Sequence, residues 1–274
     1  MSVIKYFVKN WIPPAIIRML RYLCRIGIRF EGDYESWEEA MAKCSGYDAD
    51  NILLKVLEAT LKVKRGEAVF ERDSVLFDKI EYSWPVLTGL MWAAARNGGK
   101  LNVLDFGGAL GSSNYQNRKF LQSLPEVKWN VVEQEHYVEA GRKHIADEEL
   151  HFYKTIEECL QENQPNVILL SSVIQYLKSP IEILNQLKTV NADCLLIDRT
   201  PFSDSDEDKL VIQNVPASIY EASYPMWIFS LSKFEHELSV SWNVVAKSIS
   251  PEAYVRTKNG FNFSFQGMLL ERKL

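Results

Sequence analysis

The sequence is short of the features that mark metal, disulfide, repeat or membrane-spanning proteins. Its four cysteines, Cys24, Cys44, Cys159 and Cys194, lie far apart with no CxxC pair. That excludes the usual zinc spacings and a disulfide framework, fits a reducing compartment, and leaves no metal site expected. No apolar run approaches the ~20 residues of a spanning helix, because Lys5 and Lys9 break the first candidate. No small-residue cleavage site follows a clean hydrophobic core, so a secretory leader is not expected. Low-complexity tracts and short-period repeats are absent, which argues against a solenoid or a disordered chain. Acids are missing from residues 1–30, which hold Lys5, Lys9, Arg18, Arg21, Arg25 and Arg29; with a formal charge of −5 overall, the remainder sums to −11. An acidic body argues against nucleic acid as a partner.

What is present falls into three stretches: a basic segment at 1–30, a helical region at 31–98, and an alternating α/β region at 99–274. From Pro14 to Phe30 the pattern reads as a helix opened by proline. At ~100° per residue, Arg18, Arg21, Arg25 and Arg29 share one stripe within ~80°. Two readings stay open: a helix lying in a membrane interface with Tyr6, Phe7 and Trp11 as anchors, or one packed on protein. Further on, Ser36 and Glu39 form a capping box. The stretch before Gly66 has helical spacing, and a helix from about Pro85 to Asn97 is ended by Gly98 and Gly99.

After Gly99, short apolar strands are expected at Asn102–Phe106, Trp129–Glu133, His151–Tyr153, Val167–Ser171 and Cys194–Asp198. Helices at about 113–124, 135–146, 155–162 and 179–190 separate them, which implies βαβ crossovers and a parallel sheet covered on both faces. WNVVAKSIS and FNFSFQGMLLERK, joined by a turn near Asn259 and Gly260, read as a closing pair of strands. A mostly parallel, seven-stranded Rossmann-like sheet closed by an antiparallel hairpin is the class I methyltransferase arrangement, so that fold is expected.

The sharpest chemical signal is LNVLDFGGALGSS, Leu101 to Ser113. A buried strand ends at Asp105, and Gly107, Gly108 and Gly111 make a tight turn into a helix, bringing a ligand close to bare backbone at the positive end of the helix dipole. An acid two residues before the first glycine repels a pyrophosphate but accepts a cation or a ribose hydroxyl. Glu133, 28 residues on at the next strand's end, can take two ribose hydroxyls through charge-assisted bonds of ~1.5–3 kcal/mol each. Together they point to S-adenosylmethionine. The usual signature for it has glycines two, four and six residues after the acid; here the middle position is Ala109 and Gly108 is extra. A dinucleotide fingerprint would need a glycine at Phe106, which disfavours a nicotinamide-dependent sugar oxidoreductase.

Gln134 and His136, next to Glu133, are placed on the adenine side. Ser171 and Ser172 follow the fourth strand near the methionine end, with Gln175 and Tyr176 beyond them. Asp198 and Arg199 end the fifth strand. Asp198 is the candidate proton acceptor, Arg199 could hold an anionic group or fix that carboxylate, and Tyr176 completes the catalytic candidates; the alternative is a structural Asp–Arg pair. The acidic run Asp204 to Asp208 reads as a solvated loop. The aromatic stretch Ile212 to Ser230 reads as a substrate cover carrying Glu221 and Tyr224, or as a helix buttressing the sheet.

The blocks GYDADNIL, VFERDSVLFD, LDFGGALGSSNYQNRKF, VVEQ, LLSSVIQYL, IDRTPF and ASYPMWIFS resemble a family of bacterial S-adenosylmethionine-dependent methyltransferases frequent in surface-polysaccharide gene clusters. The resemblance runs from about Phe30 to the carboxyl end. It implies the class I fold and places Asp105, Gly107, Gly108, Gly111 and Glu133 at the cofactor, and it singles out Glu71, Arg72, Asp73 and Gln116 to Arg118. The resulting expectation is a cytoplasmic enzyme that O-methylates a sugar or small-molecule acceptor, including a lipid-linked glycan. The basic helix would hold it peripherally at the inner face of the membrane. A non-catalytic nucleotide-binding or assembly protein of the same fold is the alternative, and no oligomeric state is assigned.

Overall fold

The computed structural model describes residues 27–44, 49–72, 74–216, 222–250 and 255–273. Its elements are, in chain order, β1 (Arg29–Tyr34), α1 (Trp37–Lys43), α2 (Ala49–Lys64), β2 (Phe70–Arg72), β3 (Val75–Phe77), α3 (Trp84–Arg96), β4 (Lys100–Phe106), α4 (Ser112–Leu121), β5 (Glu126–Val132) and α5 (Glu135–Ala140, continued as a π turn over Gly141–Ile145). There follow β6 (Leu150–Tyr153), α6 (Ile156–Glu162), β7 (Val167–Ser171), α7 (Pro180–Thr189), β8 (Cys194–Ser203), β9 (Lys209–Val215), β10 (Ala222–Ser230), α8 (Leu231–Leu238), β11 (Trp242–Ile249), β12 (Val255–Arg256) and β13 (Asn262–Arg272).

The central strands are apolar on both sides because helices cover both faces. Along β7, Val167 and Leu169 join one core with Leu101, Val103, Trp129 and Leu196. Ile168 and Leu170 point the other way, into a core with Leu104, Leu195, Ile197 and Phe202. The strands run β6-β5-β4-β7-β8-β13-β11 across the sheet, and β13 is antiparallel to both β8 and β11. Numbered along the chain, these seven strands have the order 3-2-1-4-5-7-6, the class I methyltransferase topology. The strands and helices expected after Gly99 appear, displaced at their ends by a few residues.

Three expectations need correction. Arg29 and Phe30, expected at the end of a helix, lie in β1, which pairs antiparallel with β9. Phe30 is drawn there by Phe263, whose ring meets it edge-on at 5.1 Å; the rest of the expected helix, Pro14 to residue 26, lies outside the described residues. The described residues of the stretch Ile212 to Ser230 are strand where a buttressing helix was the alternative: β9 and β10 form an antiparallel pair, and the end of β10 joins β8 in parallel at Phe202 and Ser203. Asn259 and Gly260 turn the chain between β12 and β13, while β11 pairs with β13 further along. Region 31–98 also holds the β2–β3 hairpin beside its helices. There the capping box forms, with Ser36 Oγ accepting the Glu39 N–H at 3.2 Å.

Candidate functional site

In open α/β sheets ligands bind beyond the carboxyl ends of the strands, where the strand order reverses. Here that point lies between β4 and β7. The backbone is strained at this edge. Four non-glycine residues have positive φ among the described residues; Ala109 (49°) and Ser172 (57°) follow β4 and β7, and Arg199 (48°) lies within β8, just past its last pairing with β7. Such strain persists only where surrounding structure enforces it, and it concentrates at functional sites. Ala109 is thus more than a change in bulk: its position demands the left-handed conformation that glycine takes freely, at a penalty of ~1–2 kcal/mol for alanine.

Asp105 lies beneath this turn. It is 1% exposed, and its Oδ2 accepts the Trp129 indole N–H at 2.9 Å. A Cβ on Gly108 would come within 2.4 Å of the same carboxylate. Asp105 was expected at the cofactor; the structure places it under the turn, as support. Burial pushes its carboxyl up to about 7, against the Trp129 hydrogen bond, and the nearby Glu133 charge raises it further. The fold therefore holds a proton that the unfolded chain releases near the ordinary value of 3.8. This contribution to stability is complete below about 4 and is lost as pH rises towards 7. Asp105→Asn keeps an acceptor for Trp129 and removes the buried charge. Thermal melts are expected to show the variant gaining on the parent as pH rises from 5 to 8, by about 2–3 kcal/mol; a constant difference across that range would refute the assignment.

Glu133, at the end of β5, reaches the glycine turn. Burial raises its carboxyl above the usual range, while the backbone N–H groups of Gln134 and Ala109 pull it down; the Gln134 bond is 2.6 Å. Gln134 is exposed and His136 half-buried, the latter with its ring 5.0 Å from Tyr137 and Nε2 without a partner among the described residues. The helix these residues open is held from the other end by Lys64, whose ammonium donates to the carbonyls of His144 (3.1 Å) and Ile145 (2.7 Å). A cation on the last carbonyls of a helix satisfies acceptors that have no partner within it.

Where the pairing of β7 with β8 ends, the side chains form one network. Ser171 Oγ donates to Asp198 Oδ2 at 2.9 Å, Arg199 Nη2 donates to Ser171 Oγ at 3.0 Å, and Arg199 Nε lies 3.4 Å from Asp198 Oδ2. Ser83 Oγ, from the start of α3, donates to Asp198 Oδ1 at 3.2 Å. Asp198 is the hub of these contacts, accepting from two hydroxyls and pairing with Arg199, which is the arrangement of the structural Asp–Arg pair. Gln175, fully buried, donates to Ser172 Oγ (3.2 Å) and to the Arg199 carbonyl (3.3 Å), bracing two strained residues.

The residues singled out by resemblance frame the same edge. Glu71 accepts from Ser112 Oγ at the start of α4, where a carboxylate also meets the positive end of the helix dipole. Gln116 donates to the Glu81 carbonyl. Arg118 pairs with Asp147 at 2.7 Å and anchors α4 to the loop before β6. Asp208, in the acidic run, accepts the Ser230 N–H at 2.7 Å. Asp73 and Glu221 lie outside the described residues. Trp129, Ser83 and Gln213 were not anticipated; Ser83 is 115 residues from the carboxylate it holds, and no local pattern encodes such a contact.

No family model and no curated protein sequence matches the chain. Among solved structures it is similar to the 1,6-didemethyltoxoflavin-N1-methyltransferase of Burkholderia thailandensis, with bound 1,6-didemethyltoxoflavin and S-adenosylhomocysteine (12% identity, 89% of this chain and 93% of that one, TM-score 0.44). It is also similar to the magnesium protoporphyrin IX methyltransferase of Synechocystis PCC 6803 with bound SAM (10% identity, 84% and 99%, TM-score 0.43). A third similarity is to an amino pentose methyltransferase of Micromonospora echinaspora, bound to SAM (10% identity, 69% and 90%, TM-score 0.42). These scores add nothing to what the strand order already states.

Proposed function

We propose that the protein is an S-adenosylmethionine-dependent methyltransferase that O-methylates a sugar or related small molecule in bacterial surface-polysaccharide assembly. The observation that carries the cofactor reading is Glu133, a carboxylate at the tip of β5 whose partners include the backbone N–H of Ala109 in the glycine turn. Gly111 opens α4 without a side-chain cap, so first-turn N–H groups face that turn. This donor and acceptor set fits a nucleoside with ribose hydroxyls. When bound, S-adenosylmethionine supplies a methyl group on a sulfonium, reactive towards an oxygen in line with it.

The chain's own residues orient and enclose. Glu133 exchanges its backbone partners for ribose hydroxyls, the glycine turn admits the ligand, and Ser171 and Ser172 border the reacting end. Orientation alone supplies ~7–11 kcal/mol of the barrier reduction, so Asp198 and Arg199 can act as scaffold and Tyr176 as an acceptor contact. The engaged state of Asp198 favours one competing reading, a nucleotide-binding protein without turnover. Calorimetry with S-adenosylhomocysteine is expected to show binding; no heat with either form of the cofactor would sink the assignment. Conversion of S-adenosylmethionine in the presence of sugar acceptors separates enzyme from binding protein.

The acid-free, arginine-rich first 26 residues suit the inner surface of a membrane, where each basic residue near anionic lipid contributes about 1 kcal/mol. No helix among the described residues is long and apolar enough to cross a membrane. Removing residues 1–26, short of β1, is expected to weaken sedimentation with phosphatidylserine vesicles at least tenfold. Equal binding by both forms would refute a membrane role for this segment.

A further inference from the structure

The inserted pair β9–β10 lies outside the seven-stranded core, and it brings two polar side chains to Tyr176, in the turn that follows β7. Its register sets Gln213 opposite Tyr224. Gln213 is 5% exposed, and both ends of its amide are engaged: Tyr176 Oη donates to Oε1 at 3.0 Å, and Nε2 donates to Tyr224 Oη at 3.1 Å. The two tyrosine rings meet edge-on, 5.2 Å apart at 87°, and both residues are half-buried.

Position gives the cluster its meaning. Tyr176 ends the short turn that follows β7, and Val173 in the same turn packs on the glycine turn: a Cβ on Gly107 would lie 2.2 Å from Val173 Cγ2. One turn therefore touches the cofactor side through Val173 and the inserted strands through Tyr176. The cluster carries two phenol hydroxyls, one amide and two aromatic edges, with no formal charge. The neighbouring charges, Arg199 and Asp198, are paired with each other. An uncharged hydroxyl and amide set beside aromatic rings suits a group that offers many hydroxyls and apolar C–H faces. These three side chains give an added carboxylate or ammonium no counter-ion, and burying such a group unpaired is strongly disfavoured.

We propose that Tyr176, Gln213 and Tyr224 form the acceptor subsite, with Gln213 orienting both hydroxyls, and that the subsite selects a neutral sugar ring over a charged one. The proposal rests on the methyltransferase reading. It is tested on the full chain saturated with S-adenosylhomocysteine, by saturation-transfer NMR with a methyl hexoside, a hexuronate and an amino sugar as probes. The hexoside is expected to bind at least fivefold more tightly than the charged probes. Tyr224→Phe and Gln213→Glu are each expected to weaken it at least fivefold, while S-adenosylhomocysteine affinity stays close to the parent's. Hexoside binding unchanged in both variants, no hexoside binding by the parent, or equal binding of the charged probes overturns the proposal. If Gln213→Glu fails to fold, Tyr224→Phe decides alone, since it keeps the ring. Failure of the parent to bind S-adenosylhomocysteine removes the methyltransferase reading and this proposal with it, a result distinct from every other.

Discussion

Glu133→Leu is expected to lower affinity for S-adenosylhomocysteine at least a hundredfold in calorimetry, with little change in melting temperature. The size follows from two charge-assisted hydrogen bonds of about 1.5–3 kcal/mol each. Stability is spared because the variant also removes a carboxylate that burial disfavours. Glu133→Gln keeps one acceptor oxygen and should fall between the two. The raised carboxyl adds a sign: binding uses the ionised form, so affinity in the parent should fall as pH is lowered through the Glu133 titration and stay flat in Glu133→Leu. Tight binding by Glu133→Leu would remove Glu133 from the ribose and leave the cofactor assignment without its main support.

Gly107→Ala is expected to disrupt the same site through the backbone. Its φ is +70°, and the new Cβ would meet Val173 Cγ2 at 2.2 Å. The left-handed backbone costs alanine about 1–2 kcal/mol, and overpacking adds about 1–3 kcal/mol. Urea unfolding should therefore show a loss of about 2–5 kcal/mol together with impaired nucleotide binding. Two further variants separate the terms. Gly66 has a similar φ of +74° and no neighbour within 4 Å of a built Cβ, so Gly66→Ala should show the backbone term alone. Adding Val173→Ala to Gly107→Ala removes the obstructing methyls and should recover part of the steric term. If Gly107→Ala is no worse than Gly66→Ala, the packing of Val173 on the glycine turn is wrong.

How far these features could be read from the sequence depended on how local their causes are. β4, β5, β7 and the first half of β8 were legible because each is a short apolar run bounded by polar or turn residues, and helices of ordinary period separate them. The glycine turn and Glu133 were legible for the same reason. β10 was not: ASYPMWIFS is buried along almost its whole length, so it shows no two-residue alternation and cannot be told from a helix by period. The first two residues of β1, Arg29 and Phe30, read as the end of a helix because the strand's partner, β9, is remote in sequence. Asp105 was legible as a strand-end acid, but its burial depends on Trp129, which belongs to the neighbouring strand. Ala109 shows the limit at a single residue: its size is in the sequence, but its backbone angle is imposed by the surrounding turn.

The pairing of β1 with β9 has a consequence for how the protein is made. Arg29 lies opposite Asn214, so β1 leaves the ribosome long before the strand that completes it. At about 5–20 residues per second the interval is roughly ten to forty seconds. Throughout it Phe30 has neither β9 nor Phe263 to cover it. The first strand among the described residues is thus among the last to find its partners, and Phe30, its one buried side chain, waits until β9 and then β13 have been synthesised.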